Sequence, residues 1–184
     1  LHRHHRALAD GYETILTELG PGSIVREMSG CDGPDADGTR PGDVAKLHYT
    51  TAGGALLIDT SCTRVFVESH YRGHATNNTS LLTGAEQTKH NKYRGRIDQV
   101  NTFIPAIHNE HGRSGPQAAE MLRQMATTVA VDSHREHADG GGTTVQARAH
   151  ALLERFRATI SIFSARSMAR EVMRSALALG GGGG

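Results

Sequence analysis

The chain has 184 residues, a formal net charge of +1 with neutral histidine, 37% hydrophobic and 4% aromatic residues, and no Trp. That length allows one domain with a core of its own, but the low apolar share and the 22 glycines point to a modest core and loose connections. The two cysteines, Cys31 and Cys62, have no metal-type spacing and argue against a disulfide framework; the 12 histidines make the charge rise as pH falls.

No secretory leader and no apolar run near about 18 residues is present, so the chain reads as soluble, nuclear or otherwise intracellular, with no membrane partner. It begins on Leu1 and ends in five glycines after Leu179, which reads as a piece of something larger.

The pattern predicts a first helix over residues 4–19, where Leu8, Tyr12, Ile15, Leu16 and Leu19 recur at helical spacing before Gly20-Pro21-Gly22 stops it. Its start, His2-Arg3-His4-His5-Arg6, is basic and reads either as a solvated helix end or as a phosphate contact. Ser23 to Met28 is a short strand with Val25 and Glu27 on one face. The loop from Ser29 to Thr39 holds Asp32, Asp35 and Asp37 but lacks the closing glutamate of a calcium loop.

Two strands follow, Asp43 to Tyr49 and Ala55 to Cys62, joined by a glycine turn; Thr63 to Val67 could extend the second. Each carries one aspartate in an apolar setting, Asp43 and Asp59. Aspartate has poor strand propensity and is costly to bury unpaired, so the pair asks for a reason, and a bridging divalent metal supplies one. Glu68 to Thr83 reads as a polar loop. Gly84 to Gln99 reads as a helix with Lys89, Lys92 and Arg96 along one side.

Val100 to His108 is a strand that Pro105 confines to a sheet edge or breaks. After a tight loop at residues 111–116, Ala118, Ala119, Met121, Leu122, Met125 and Val129 give the apolar stripe of another helix. A polar linker over 133–144 leads to a last helix over 145–179, in which six arginines face two glutamates, a local excess of +4. That excess reads either as a solvated face or as a nucleic-acid backbone contact. The histidine pairs His70/His74 and His134/His137 fall in polar segments and read as surface residues.

The expected architecture is therefore α/β, or α+β: a small mixed sheet flanked by helices over 1–132, a linker, a C-terminal helical extension and a glycine tail over 180–184. Phosphodiester cleavage needs a metal on the phosphate, oxygen ligands from carboxylates, and a cation to stabilise developing charge. Glu27, Asp43, Asp59 and Lys89 or Lys92 supply such a set on a helix–strand–strand–strand–helix frame.

The string Arg40-Pro41-Gly42-Asp43, then Ile58-Asp59, then Lys89-x-x-Lys92-Tyr93 resembles the restriction-like endonuclease domain of the PD-(D/E)xK superfamily. That domain sits at the C-terminus of reverse transcriptases from site-specific non-LTR retrotransposons. Phe103-Ile104-Pro105 and Glu110-x-Gly112-Arg113-x-Gly115 are similar to the later part of the domain, so the resemblance spans roughly residues 4–130. It implies a restriction-endonuclease-like fold and a nickase that frees a 3′-hydroxyl for target-primed reverse transcription. It also implies Mg2+ or Mn2+ held by Asp43 and Asp59, with Glu27 as a further acidic ligand and Lys92 or Lys89 as the catalytic cation. DNA would be the partner, held by Arg3, Arg6, Arg40, Lys89, Lys92 and Arg96. Element RNA and upstream reverse-transcriptase and zinc-knuckle segments of the same polyprotein would be further partners.

Two positions depart from the pattern: Gly42 separates Pro41 from Asp43, and Thr60-Ser61-Cys62 follows Asp59 where the family usually keeps aliphatics. A catalytically inactive nucleic-acid-binding domain of the same fold is the alternative expectation.

Overall fold

The computed structural model describes residues 2–20, 22–28, 42–63, 78–136 and 144–180. The calcium-like aspartates, Arg40, the extension of the second aspartate strand beyond Thr63, and the His70/His74 pair lie outside them.

Helix α1 (His2–Leu16) ends in a 3-10 turn (Thr17–Leu19). Strands β1 (Ile24–Met28), β2 (Gly42–Lys46) and β3 (Leu56–Thr63) follow, then helix α2 (Asn78–Tyr93), strand β4 (Thr102–Asn109) and helices α3 (Pro116–Glu136) and α4 (Val145–Gly180). The four strands lie in sequence order; β2 is antiparallel to both β1 and β3, and β4 is parallel to β3. This is the mixed α/β architecture with a C-terminal helix that the sequence predicts. Parallel pairing of β3 and β4 requires a crossover, and α2 makes it. Pro105 does not break β4; among the described residues β3 is the one strand that β4 pairs with, so the missing N–H interrupts no second ladder.

Strand alternation divides the core. Val44, Leu56, Ile58 and Ala106 face a large cluster with Leu8, Tyr12, Ile15 and Leu16 of α1, Leu122 and Met125 of α3, and Phe156 and Ile160 of α4. Ala45 and Leu57 face a small second cluster with Phe103. The α1 apolar stripe is buried as its spacing predicts, with Leu19 only partly so.

Three helix ends lie several residues from expectation. Helix α2 starts at Asn78 and ends at Tyr93, where Gly95 (φ 72°) turns the chain, so Arg96 lies in the following turn and not on a helical stripe with Lys89 and Lys92. Helix α3 runs on to Glu136, into the segment read as linker. Among the described residues, no helix is long and apolar enough to cross a membrane.

Polar groups that sequence reading left aside secure the frame. Lys46, 4% exposed at the end of β2, donates its ammonium to the Gly20 carbonyl at 2.9 Å, beside the C-terminus of α1, where carbonyls lack partners. Glu86, 2% exposed on α2, accepts from the Gln117 N–H at 2.9 Å and so caps the start of α3. Gly115 makes room for that carboxylate, because a Cβ there would strike Glu86 Oε1. Gly112 (φ 80°) lies against Ser161 of α4. Both glycines of the Glu110-x-Gly112-Arg113-x-Gly115 string thus have steric jobs.

His108 of β4 is fully buried, with Nε2 2.8 Å from the Tyr12 hydroxyl and Nδ1 3.2 Å from Ser114 Oγ. Burial pushes its pKa down to about 4, so the ring is neutral. Burial also pushes the Tyr12 hydroxyl far above its ordinary range.

Candidate active site

A cleft of about 780 Å3 opens where α1, the ends of β1–β3 and α2 converge. Helix α1 contributes His5, Arg6, Ala9, Asp10 and Glu13, the strands contribute Arg26, Glu27, Asp43 and Asp59, and α2 contributes Lys89, Lys92 and Tyr93. Six of the seven residues expected at the catalytic or metal centre or as helix-start contacts, Glu27, Asp43, Asp59, Lys89, Lys92 and Arg6, therefore meet in one place. Arg3 lies in the first turn of α1; Arg96 is not part of the cleft.

The aspartates are neighbours because the β2–β3 hairpin pairs Val44 with Ile58, one residue in from each. Their surroundings differ. Asp43 Oδ2 accepts from the Thr60 N–H at 2.7 Å and from the Thr60 hydroxyl at 2.6 Å, and His5 Nδ1 stands 3.8 Å away, an ion-pair distance and not a hydrogen bond. All three contacts fall on Oδ2. Burial alone would push the Asp43 carboxyl up; His5 and the two Thr60 donors outweigh it and hold it below the ordinary carboxylate range. The Thr60 hydroxyl has one proton, and the shorter, charge-assisted bond to Asp43 takes it, although the His5 carbonyl lies 3.2 Å away. The polar residue after Asp59 is thus the support of the other aspartate.

Asp59 is only 4% exposed. Lys89 Nζ donates to Oδ1 at 3.0 Å and stands 2.9 Å from Oδ2. That second approach lacks hydrogen-bonding geometry, so Oδ2 is a buried oxygen without a hydrogen-bond partner. Burial pushes the Asp59 carboxyl up, and the Lys89 ammonium only partly opposes it. Two adjacent carboxylates are thereby driven apart in acidity, a pattern that marks sites with divided roles.

Lys89 reaches Asp59 because it shares an inward stripe of α2 with Leu82, Glu86 and Tyr93, at i, i+4, i+7 and i+11. Lys92 lies off that stripe and is exposed; its Nζ donates to the Tyr93 hydroxyl at 3.0 Å and sits 4.7 Å from the ring centroid. Tyr93 packs edge-on against Phe103 at 5.1 Å, and burial with the Asp59 carboxylate beside it pushes its hydroxyl up to about 12. The structure therefore separates the two lysines: Lys89 holds the carboxylate and Lys92 stands at the rim.

Glu27 has φ 46°, a left-handed backbone unusual for a non-glycine residue within a strand. The β1–β2 ladder pairs Arg26 with Val44 and Met28 with Gly42, on either side of this kink. Such strain persists where surrounding structure enforces it and clusters at functional sites. Arg26 is tied to α1 through Glu13 at 2.8 Å and through Asp10. None of this was legible from spacing, because Arg26, Asp10 and Glu13 are ordinary surface residue types in their own elements.

The donor set suits a hard divalent cation. Carboxylate oxygens are the ligands Mg2+ prefers, one or two of them suffice, and Asp59 Oδ2, ion-paired with Lys89, is a buried acceptor without a hydrogen-bond partner. Among the described residues, no group of three or more His, Cys, Asp or Glu side chains is already gathered as a cage. In formal charge the cleft holds five carboxylates against four Arg and Lys side chains, so it favours a cation over a bare phosphate. Comparison of the chain with protein-family models, curated proteins and solved structures gives no match.

Proposed function

We propose that this chain is a metal-dependent DNA endonuclease, a nickase domain of the retroelement reverse-transcriptase type. The observation that supports it best is the aspartate pair on adjacent strands with the Lys89 ammonium 3.0 Å from Asp59. Asp43 and Asp59, with Glu27 at the kinked strand, would hold Mg2+ or Mn2+. When bound, such an ion polarises the phosphate and makes water a better nucleophile. The chain's own residues do the rest. Thr60 fixes the Asp43 carboxylate, Lys89 fixes Asp59 and supplies positive charge where the phosphoryl oxygens gain negative charge, and Lys92 and Arg6 flank the path of the strand. Hydrolysis joins a water oxygen to phosphorus, breaks the P–O3′ bond and delivers a proton to O3′. It leaves the 3′-hydroxyl that target-primed reverse transcription extends, with element RNA as the template. Upstream reverse-transcriptase and zinc-knuckle segments are the expected companions, and the nucleus or another intracellular compartment holding DNA is the expected location.

A second reading, a non-catalytic DNA-binding domain, draws on the same lysine: an ammonium within 3.0 Å of both Asp59 oxygens can stand where a metal would. Mg2+-dependent nicking of supercoiled plasmid separates the two. The nuclease reading expects Asp43→Asn and Asp59→Asn each to lose at least about 100-fold in rate, the scale of removing a main electrostatic group. Full nicking by Asp59→Asn would refute it.

A further inference from the structure

Helix α4 packs on α1 and α3 with one side, through Phe156, Ile160, Ser164 and Ser167 at i, i+4, i+8 and i+11, all buried. At about 100° per residue, Ile162, Ala165, Ala169, Val172, Met173 and Ala176 fall on the opposite side. All six are exposed, Ile162 by 49%, Val172 by 65% and Met173 by 66%. No charged side chain falls within this outer face, where a solvated helix carries its polar residues. Single exposed apolar residues are ordinary, but a continuous face of them, about 21 Å long at about 1.5 Å per residue, marks an interaction site. Helix α4 contributes no residue to the cleft, so the face is separate from it.

The charges beside this face decide what it takes. Arg166 and Arg170 run along one border and Arg174 continues the row, at i, i+4 and i+8. All three are exposed. Among the described residues none of them is in an ion pair, whereas Arg155 and Arg157 earlier in the helix pair with Glu18 and Glu154. The opposite border carries the uncharged Met168 and Ser175. A second copy of the chain does not answer these charges. In an antiparallel pair the arginine borders meet each other, and in a parallel pair each meets the uncharged border. A bilayer is a poor match as well, because a helix lying in a membrane surface presents bulky apolar residues to the lipid. Here three of the six face residues are alanines, which let another helix come close. A row of glutamates or aspartates on a facing helix meets the arginines and sets apolar side chains against apolar ones.

We propose that the outer face of α4 docks an acidic amphipathic helix of a partner protein, with Ile162, Val172 and Met173 as apolar anchors and Arg166, Arg170 and Arg174 as the partners of its carboxylates. The proposal does not depend on the nuclease reading. It gives the chain a protein-binding surface apart from the acidic centre.

The test is fluorescence anisotropy of the full chain with a labelled synthetic helix of about 20 residues, leucine and alanine on one face and glutamate along one border. The same peptide with lysine for glutamate is the control. The glutamate peptide binds at least about tenfold more tightly than the lysine peptide, and added salt narrows the gap. Ile162→Gln/Val172→Gln/Met173→Gln loses at least about tenfold in affinity for the glutamate peptide. Arg166→Gln/Arg170→Gln/Arg174→Gln binds the two peptides alike. Glutamine is a good helix former and the replaced side chains are exposed, so α4 persists in both variants. Asp43→Asn/Asp59→Asn binds like wild type, whatever its effect on nicking. No binding of the glutamate peptide at about 1 mM, equal binding of both peptides by wild type, or undiminished binding by the apolar triple variant overturns the proposal. So does binding of wild type to phosphatidylserine vesicles but not to the peptide. A dimer of the chain alone in sedimentation, abolished by the apolar triple variant, overturns it in favour of a second copy.

Discussion

Replacing Thr60 with valine removes one hydroxyl from beneath the aspartate pair and changes little else. Valine is β-branched like threonine and keeps the strand's preference. The site is fully buried, and the hydroxyl lies 2.6 Å from Asp43 Oδ2. A methyl group cannot approach a carboxylate oxygen that closely, so the carboxylate must also shift. A hydrogen bond to a charged group contributes about 1.5–3 kcal/mol. Asp43 keeps the Thr60 N–H, and its side chain is 32% exposed to water, so the lower end, about 1.5 kcal/mol, is expected.

The loss must depend on pH. The folded Asp43 pKa lies below its unfolded value, so the stability it contributes is present above the unfolded pKa and is lost as pH falls through the folded one. Urea unfolding should show the full difference between Thr60→Val and wild type near neutral pH, with the gap closing below about pH 4. Thr60→Ser, which keeps the hydroxyl, should restore most of it. On the proposed nuclease function, the same shift of the carboxylate should raise the Mg2+ concentration for half-maximal nicking roughly tenfold, the equivalent of about 1.4 kcal/mol. A difference near zero at neutral pH, or one constant down to pH 3, would refute the clamp.

Three further outcomes are expected. Lys89→Met leaves the Asp59 carboxylate, 6% exposed in its side chain, without its cation; it should cost about 3 kcal/mol in urea unfolding, and adding Asp59→Asn should return much of that, whereas additive losses would argue against the pair. Gly115→Ala drives a Cβ into the Glu86 carboxylate that caps α3; thermal unfolding should fall by about 1–3 kcal/mol, and Glu86→Ala in the same chain should relieve the clash but leave the cap lost. His108, with its pKa lowered from 6.5 to about 4, contributes stability that is complete above about pH 6.5 and is lost as pH falls toward 4. Up to about 3 kcal/mol should disappear across that window and His108→Gln should flatten it, while an identical pH profile for that variant would mean the ring is not held neutral.

Some of this molecule was legible in the chain because local rules govern it. The α1 stripe needs only the helical period, and Leu8, Tyr12, Ile15 and Leu16 are buried accordingly. The adjacency of Asp43 and Asp59 needs only a hairpin turn and strand alternation, both local. Among the described strands, the edge position of β4 follows from Pro105 and its missing donor. Helix α2 shows where local reading stops. Its polar opening, Asn78 to Ser80, resembles a loop, and packing of Leu82 beneath it overrides that preference. The same packing turns Lys89 inward onto Asp59, although a basic stripe seen alone looks like a solvated face.

Thr60, Lys46, Glu86 and His108 are beyond sequence reasoning for one reason. A polar side chain tolerates burial only when a partner meets it, and here the partners lie on elements distant in the chain: β2, the end of α1, the start of α3 and the middle of α1. Composition and period fixed which strands carry the acids. Only the tertiary structure decided which oxygen is held by Thr60, which is left buried without a hydrogen-bond partner, and which lysine stands beside it, because those are questions of close contact between residues far apart in sequence.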